Sequence, residues 1–137
     1  MDWQAVERLL QDKKFSLTPQ RRAILRFLSG NPSHPSANGI YEAVTRDFPV
    51  TSRATVYNTL ELLLQLGVLR ELRLPGEAEG RYDPNPLPHH HFWCQRCGQL
   101  SDVPAEAVQL SLNLPSGYQP VQASALLEGV CPGCSGS

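Results

Sequence analysis

No stretch of this chain runs to the roughly 20 consecutive apolar residues that a membrane-spanning helix requires. With 41% hydrophobic and 18% charged residues, the composition is that of a soluble globular protein. The opening MDWQAVERLLQDKK has early acids and no continuous apolar core, so no signal peptide is expected and the reducing cytoplasm is the expected compartment. Four cysteines in such a compartment point to metal or redox chemistry rather than a disulfide frame. Internal repeats and low-complexity tracts are absent, and 137 residues bound the chain to one ordinary domain or two small ones. A net charge of −1 excludes a uniformly basic protein, yet the average hides a gradient. Residues 13–41 hold Lys13, Lys14, Arg21, Arg22 and Arg26 and no acid, whereas residues 84–137 hold only Arg96 against Asp102, Glu106 and Glu128. The front of the chain is therefore the half suited to an anionic partner.

What is there first is helical periodicity. Trp3, Val6, Leu9 and Leu10 repeat at helical spacing behind Asp2, which predicts a helix to about Lys13. Thr18-Pro19 pairs a capping hydroxyl with a proline at the first helical position, and Gly30-Asn31-Pro32 ends that second helix. Ser36 caps a third, with Ala37, Ile40, Tyr41, Val44 and Phe48 on one stripe. After Pro49, Thr51 or Ser52 caps a fourth, with Val56, Leu60, Leu63 and Leu64 inward and Gly67 as its stop. VLRELRL, the turn-rich PGEAEG and RYD then read as a β-hairpin. Three helices followed by a two-stranded wing are the winged form of helix-turn-helix.

Prolines at 84, 86 and 88 stiffen a connection after Asp83. Beyond it, short strands are expected at residues 92–94 and 100–103, a helix at 105–114, and a strand where Val121, Ala123, Ala125 and Leu127 alternate with polar or small residues. The expected class is α+β, with a winged-helix domain at 1–83, a hinge at 84–91 and a small α/β domain at 92–137.

Chemistry gathers around that hinge. Cys94-x2-Cys97 and Cys131-x2-Cys134 supply four thiolates in two tight pairs, with Gly98 and Pro132-Gly133 as turn formers. This is the spacing of a closed, structural zinc site; two redox-active dithiols are the other reading. About 50 residues after the hinge bury too little core alone, so a metal staple or a partner subunit is expected. His34, Asp83, His89, His91 and Asp102 are the remaining donors, and imidazole with carboxylate suits iron(II), manganese(II) or zinc. His89 and His91 share a side in an extended segment, and His90 faces away. Taken singly these residues also read as a loop histidine, a turn-forming Asp83 and a helix-capping Asp102. An open His/Asp site also admits a metallohydrolase, but every nearby acid is better used as a ligand than as a general base.

Recognition helices of winged domains present their N-terminal residues to base edges. Here those are Ser52, Arg53, Thr55, Tyr57 and Asn58, with Arg21, Arg22 and the wing's Arg70, Arg73 and Arg81 as candidate phosphate contacts. A plain polar helix face is the bland alternative.

The segments LTPQRRAIL, HPSA, SRATVYNTLELLLQLGVL, RYD, HHHFWCQRCG and GVCPGC resemble, in order and spacing, the ferric uptake regulator family along nearly the whole chain. The resemblance implies a homodimeric, metal-dependent repressor that binds palindromic operator DNA, not an enzyme. It implies structural zinc on the four cysteines and makes the C-terminal domain the dimerisation domain. The chain looks most like the peroxide-sensing branch, whose three regulatory histidines and two aspartates fall on His34, Asp83, His89, His91 and Asp102. By that resemblance the regulatory metal is Fe(II) or Mn(II), and peroxide oxidises His34 or His91 when iron is bound. The iron-uptake branch typically has glutamate at the place of Asp83 and arginine at that of Asn58, and uses a later histidine where this chain has none. The extra sensing cysteine common in the zinc-uptake branch is absent. A manganese- or iron-uptake regulator without peroxide sensing is the alternative within the family.

Overall fold

The computed structural model describes residues 1–136. Its contacts divide the chain into two compact units, Met1–Pro86 and Leu87–Ser137, so the division falls within the stretch 84–91.

Four helices build the first unit: α1 (Trp3–Asp12), α2 (Pro19–Leu28), α3 (Ala37–Asp47) and α4 (Arg53–Gln65). Each begins where a short polar side chain can replace the missing helical acceptor. Asp2 accepts from the Gln4 and Ala5 amides, Thr18 from Arg21, Ser36 from Gly39 and Ser52 from Thr55. At the far end of α4, Gly67 takes φ +73°. Its N–H donates to the Leu64 carbonyl and that of Val68 to the Leu63 carbonyl, a turn that needs a left-handed residue.

The apolar stripes meet in one core containing Leu10, Ile24, Leu25, Leu28, Ile40, Val56, Leu60 and Leu63. Thr59 and Leu62 are also buried on α4, while Leu64 is only half-buried, so the inward face is rotated slightly from the expected one. Strands β1 (Arg70–Leu72) and β2 (Arg81–Asp83) pair antiparallel, Arg70 opposite Asp83, as the wing. The Tyr82 N–H donates to the Pro35 carbonyl at 2.9 Å, pinning the loop before α3 against β2.

The second unit is a three-stranded sheet in the order β4-β3-β5, formed by β3 (His89–Cys94), β4 (Leu100–Pro104) and β5 (Leu126–Gly129). The β3–β4 pair is antiparallel and the β3–β5 pair parallel. A four-residue helix, α5 (Pro132–Ser135), follows. β3 begins three residues earlier than expected. The helix expected at residues 105–114 does not form; only a single 3-10 turn covers Ala105–Ala107. Val108, Leu110, Leu112 and Leu114 recur every second residue, so helical winding would scatter them around the axis instead of stacking them on one face. The last strand covers only the end of the alternating stretch, Leu126–Gly129. Among the described residues no helix is long and apolar enough to cross a membrane.

Two substitutions separate the contributions to the first unit. Leu63→Ala, at a fully buried position, is expected to cost about 2–5 kcal/mol. Thr18→Ala, which removes the α2 cap, is expected to cost about 1 kcal/mol. Urea unfolding followed by circular dichroism checks both the sizes and the order.

Candidate metal centres

Strand β3 aims side chains alternately to its two sides, and the second unit uses both. Cys94 ends the strand on the side shared with His90 and Phe92. The chain then turns through Gly98, at φ +76°, whose N–H donates to the Cys94 carbonyl at 2.9 Å. That turn returns Cys97 toward Cys94. On the same side β5 delivers Cys131, and the short α5 carries Cys134, whose N–H donates to the Cys131 carbonyl at 3.1 Å. Arg96 Nη1 donates to the Cys134 carbonyl at 3.0 Å and tethers the tail.

The four Sγ atoms all lie within 4.8 Å of one another, and the Cys97 and Cys131 sulfurs are 3.8 Å apart. Four sulfurs at ~2.3 Å from a central zinc stand ~3.8 Å apart along each tetrahedral edge, so the set fits the ion. It is far from the ~2.05 Å of a disulfide, so the dithiol reading gains no support from the geometry. Backbone N–H groups of Cys97 and Cys131 point at the Cys94 sulfur, at 3.5 and 3.4 Å. These amides, that of Cys97 foremost, draw the Cys94 thiol down to about 6. Cys134 is pushed up to about 12, first by its hydrogen bond with Cys131. Without an ion the cluster thus holds one thiolate readily and resists the last; a dication removes that resistance.

The opposite side of β3 carries His89 and His91. Their Nε2 atoms are 3.1 Å apart, and each is 3.4 Å from Asp102 Oδ1 on β4, which the strand register places opposite His91. Two donors bound at ~2.1 Å to one ion lie ~3.0–3.4 Å apart at right-angled or tetrahedral positions, so this triangle has the dimensions of one face of a coordination sphere. His89 Nδ1 faces the Leu87 carbonyl, which can only accept, so the proton sits on Nδ1 and the Nε2 lone pair faces the triangle. His90 does face away: its Nδ1 accepts the Ala125 N–H at 2.8 Å and ties the approach to β5 onto β3.

In the first unit, the pinned loop before α3 brings His34 beside Asp83. His34 Nε2 and Asp83 Oδ1 are 4.0 Å apart and both side chains are almost fully buried. That gap is too long for a hydrogen bond and compatible with two ligands of one ion. Asp83 is aimed by the Asn85 N–H, which donates to its Oδ1 at 2.9 Å. His34 holds φ +51°, a left-handed conformation uncommon for a residue with a Cβ.

The candidate nucleic-acid residues are more occupied than their types suggested. Ser52 spends its hydroxyl on the Thr55 amide and lies 2.9 Å from the Thr55 hydroxyl. Arg53 donates to Asn38 Oδ1 at 3.0 Å and stacks over the Tyr41 ring at 4.3 Å. Arg21 donates to the Ser16 carbonyl at 2.7 Å, and Arg22 pairs with Glu7 at 3.3 Å. In the wing, Arg73 pairs with Glu71 at 3.1 Å, and Glu77 takes Arg81 through both carboxylate oxygens. Tyr57 and Asn58 stand exposed on α4. Asn38 and Tyr41, which position Arg53, were not among the sequence candidates; no local motif marks a contact fifteen residues away.

The ferric uptake regulator family model matches residues 12–119. A peroxide-responsive repressor, PerR, of Staphylococcus aureus is 41% identical over 93 residues, which cover 68% of this chain and 62% of that protein. The chain therefore spans less than two thirds of that relative's length. Among solved structures, the one described as the structural basis for peroxide sensing and gene regulation by PerR from Streptococcus pyogenes superposes with a TM-score of 0.58 at 28% identity, covering 96% of this chain and 92% of that one. The ferric uptake regulator of Helicobacter pylori superposes at 0.75 with 18% identity, covering 100% and 96%, a likeness of fold.

Stripping metal with a chelator, or replacing Cys131 by Ser, is expected to raise amide exchange across Leu126–Gly129. The amides of Pro19–Leu28 should stay protected. Hydrogen-exchange mass spectrometry reads both in one experiment.

Proposed function

This chain belongs to the ferric uptake regulator family, and from that premise we propose that it is a homodimeric, metal-dependent transcriptional repressor of the peroxide-responsive kind, reading a palindromic DNA operator. The observation that carries the metal dependence is the triangle of His89 Nε2, His91 Nε2 and Asp102 Oδ1, with edges of 3.1, 3.4 and 3.4 Å. Imidazole nitrogens with a carboxylate suit Fe(II), Mn(II) or zinc, and the likeness to a peroxide-responsive repressor favours Fe(II) or Mn(II) among them. The 41% identity to a peroxide-responsive repressor supports the branch.

The assigned roles follow the donor chemistry. Cys94, Cys97, Cys131 and Cys134 hold a structural zinc, closed to substrate because four thiolates complete its shell. His34, Asp83, His89, His91 and Asp102 are the regulatory ligands. Residues 1–83 carry DNA binding through α4, residues 84–91 are the ligand-bearing hinge, and residues 92–137 pair two copies. Two recognition helices in a symmetric dimer match two half-sites. Metal acts as a switch provided it binds the DNA-competent arrangement more tightly. A near-complete switch requires a differential of about 5.5 kcal/mol.

The DNA-facing charges must change partners when they engage phosphate. Arg22 exchanges Glu7, and Arg73 exchanges Glu71. Each exchange swaps one ion pair for another, so its net gain is small and falls with added salt. Bound ferrous iron would supply the electrons that reduce peroxide and bound manganese(II) would not, which separates the two metals. His34 or His91 would take the oxygen, and a histidine so altered would no longer present its lone pair.

Anaerobic operator binding, with iron, manganese or zinc added separately and measured before and after peroxide, tests the reading. Iron and manganese should each restore binding, and peroxide should abolish it only with iron. Binding that ignores metal would sink the proposal, while metal-dependent binding that survives peroxide would assign an uptake regulator instead. His91→Ala and Asp102→Ala should each weaken metal-activated binding by about 10-fold or more. Their metal-free binding should match that of the unaltered chain.

A further inference from the structure

Trp93 lies two residues beyond His91 on β3, in unbroken register with β4, where it stands opposite Leu100. Strand alternation places it on the side of His89 and His91, about 7 Å from His91 along the backbone. The opposite side of the strand is defined by Cys94 and by Phe92, whose ring packs over Gly129 so closely that a Cβ there would stand 3.0 Å from it. The indole is therefore the next side chain in line from the two imidazoles.

Packing alone does not account for an indole at this position. Its Nε1–H is hidden from solvent and has no hydrogen-bond acceptor among the described residues. An indole N–H hidden from solvent usually finds an acceptor, and phenylalanine would fill a similar apolar space without it. What indole offers over phenyl is ease of oxidation, since it is the most electron-rich of the aromatic side chains.

We propose that Trp93 is a second oxidation site of the regulatory centre, taking oxygen from peroxide when ferrous iron is bound at His89, His91 and Asp102. The inference rests on the metal reading above and extends it to a residue outside the ligand set. In net terms, an indole ring C–H and one H2O2 give a ring C–OH and one water. The O–O bond breaks, one oxygen forms the new C–O bond, and the other leaves as water with the displaced hydrogen. The ring loses two electrons and the peroxide gains them, with iron acting catalytically.

The test uses the full-length, zinc-loaded chain, mixed anaerobically with ferrous iron alone, with manganese(II) alone or with neither, and then treated with peroxide. Trypsin leaves His89, His91 and Trp93 on one peptide, because cleavage falls after Arg81 and Arg96. A mass gain on that peptide therefore does not identify the oxidised residue, and fragmentation must place the oxygen. Trp3, on α1 and stacked against Arg26 at 4.6 Å, is an internal control of similar partial exposure.

With iron, Trp93 is expected to gain one oxygen several-fold more often than Trp3, and with manganese or no metal the two should be alike. In Trp93→Phe, the iron-dependent oxygen should be found on histidine alone. Oxygen on the histidines with Trp93 no more altered than Trp3 overturns the inference and leaves the repressor reading standing. Equal oxidation of Trp93 with and without iron overturns it as well. No iron-dependent oxygen on this peptide overturns the inference, and none on the peptide carrying His34 either, which runs from Phe27 to Arg46, removes the peroxide-sensing reading with it.

Discussion

Four sulfur atoms within 4.8 Å of one another are the constraint on which the second unit depends. Its only buried apolar residues among those described are Cys94 and Leu100, far short of a self-sufficient core. Sheet hydrogen bonds alone do not fill that deficit, because unpaired strands would make comparable bonds to water. Tying the end of β3 to the segment after β5 converts a loose meander into a closed loop of about 35 residues, a constraint of the size a disulfide supplies. Everything else in the unit is held through β3. The Gln95 N–H meets the Gly129 carbonyl at 2.8 Å, and His90 holds Ala125. With both neighbours in place, β3 presents His89 and His91 at a fixed spacing to Asp102.

How much of this was legible in the sequence depends on how local its cause is. Thr18 and Ser36 mark helix starts, and Thr51 or Ser52 marks a third that the structure assigns to Ser52, because a cap is satisfied within three residues. The cysteine spacing was legible for the same reason, since a knuckle turn is a four-residue object. Over residues 105–114, helix-forming Ala105, Glu106 and Ala107 precede an apolar alternation of period two, so the local signal for a helix is confined to the first turn. The early start of β3 has no such signal, because three buried histidines carry no hydrophobic signature beyond their alternation. Which cations were already paired was not readable at all. Arg22 meets Glu7 from a different helix, and Arg53 meets Asn38 across fifteen residues.

Those pairings revise what the acid-free run of residues 13–41 means. Counted along the chain it is a strong positive stretch. In space Glu7 has reached into it, and a backbone carbonyl holds Arg21. The wing shows the same habit, with Glu71 and Glu77 each engaging an arginine. A surface of this kind has a muted field, because these guanidinium groups already face a carboxylate or a carbonyl. A phosphate must compete with those partners, so charge count along the chain overstates the attraction.

The parity of β3 carries a consequence for how such a chain can change. His91 and Cys94 are three positions apart, an odd number, and so fall on opposite sides of the strand; His89 and His91 are an even number apart and fall together. The segment therefore has a phase as well as a composition. A point substitution alters one side chain and leaves the other side untouched, so the two clusters can be tuned separately. Inserting or deleting one residue between His91 and Cys94 reverses that phase and turns either the imidazoles or the thiol toward the wrong neighbours. Length changes in this strand are thus tolerable only in pairs, a rule that any redesign of the segment inherits.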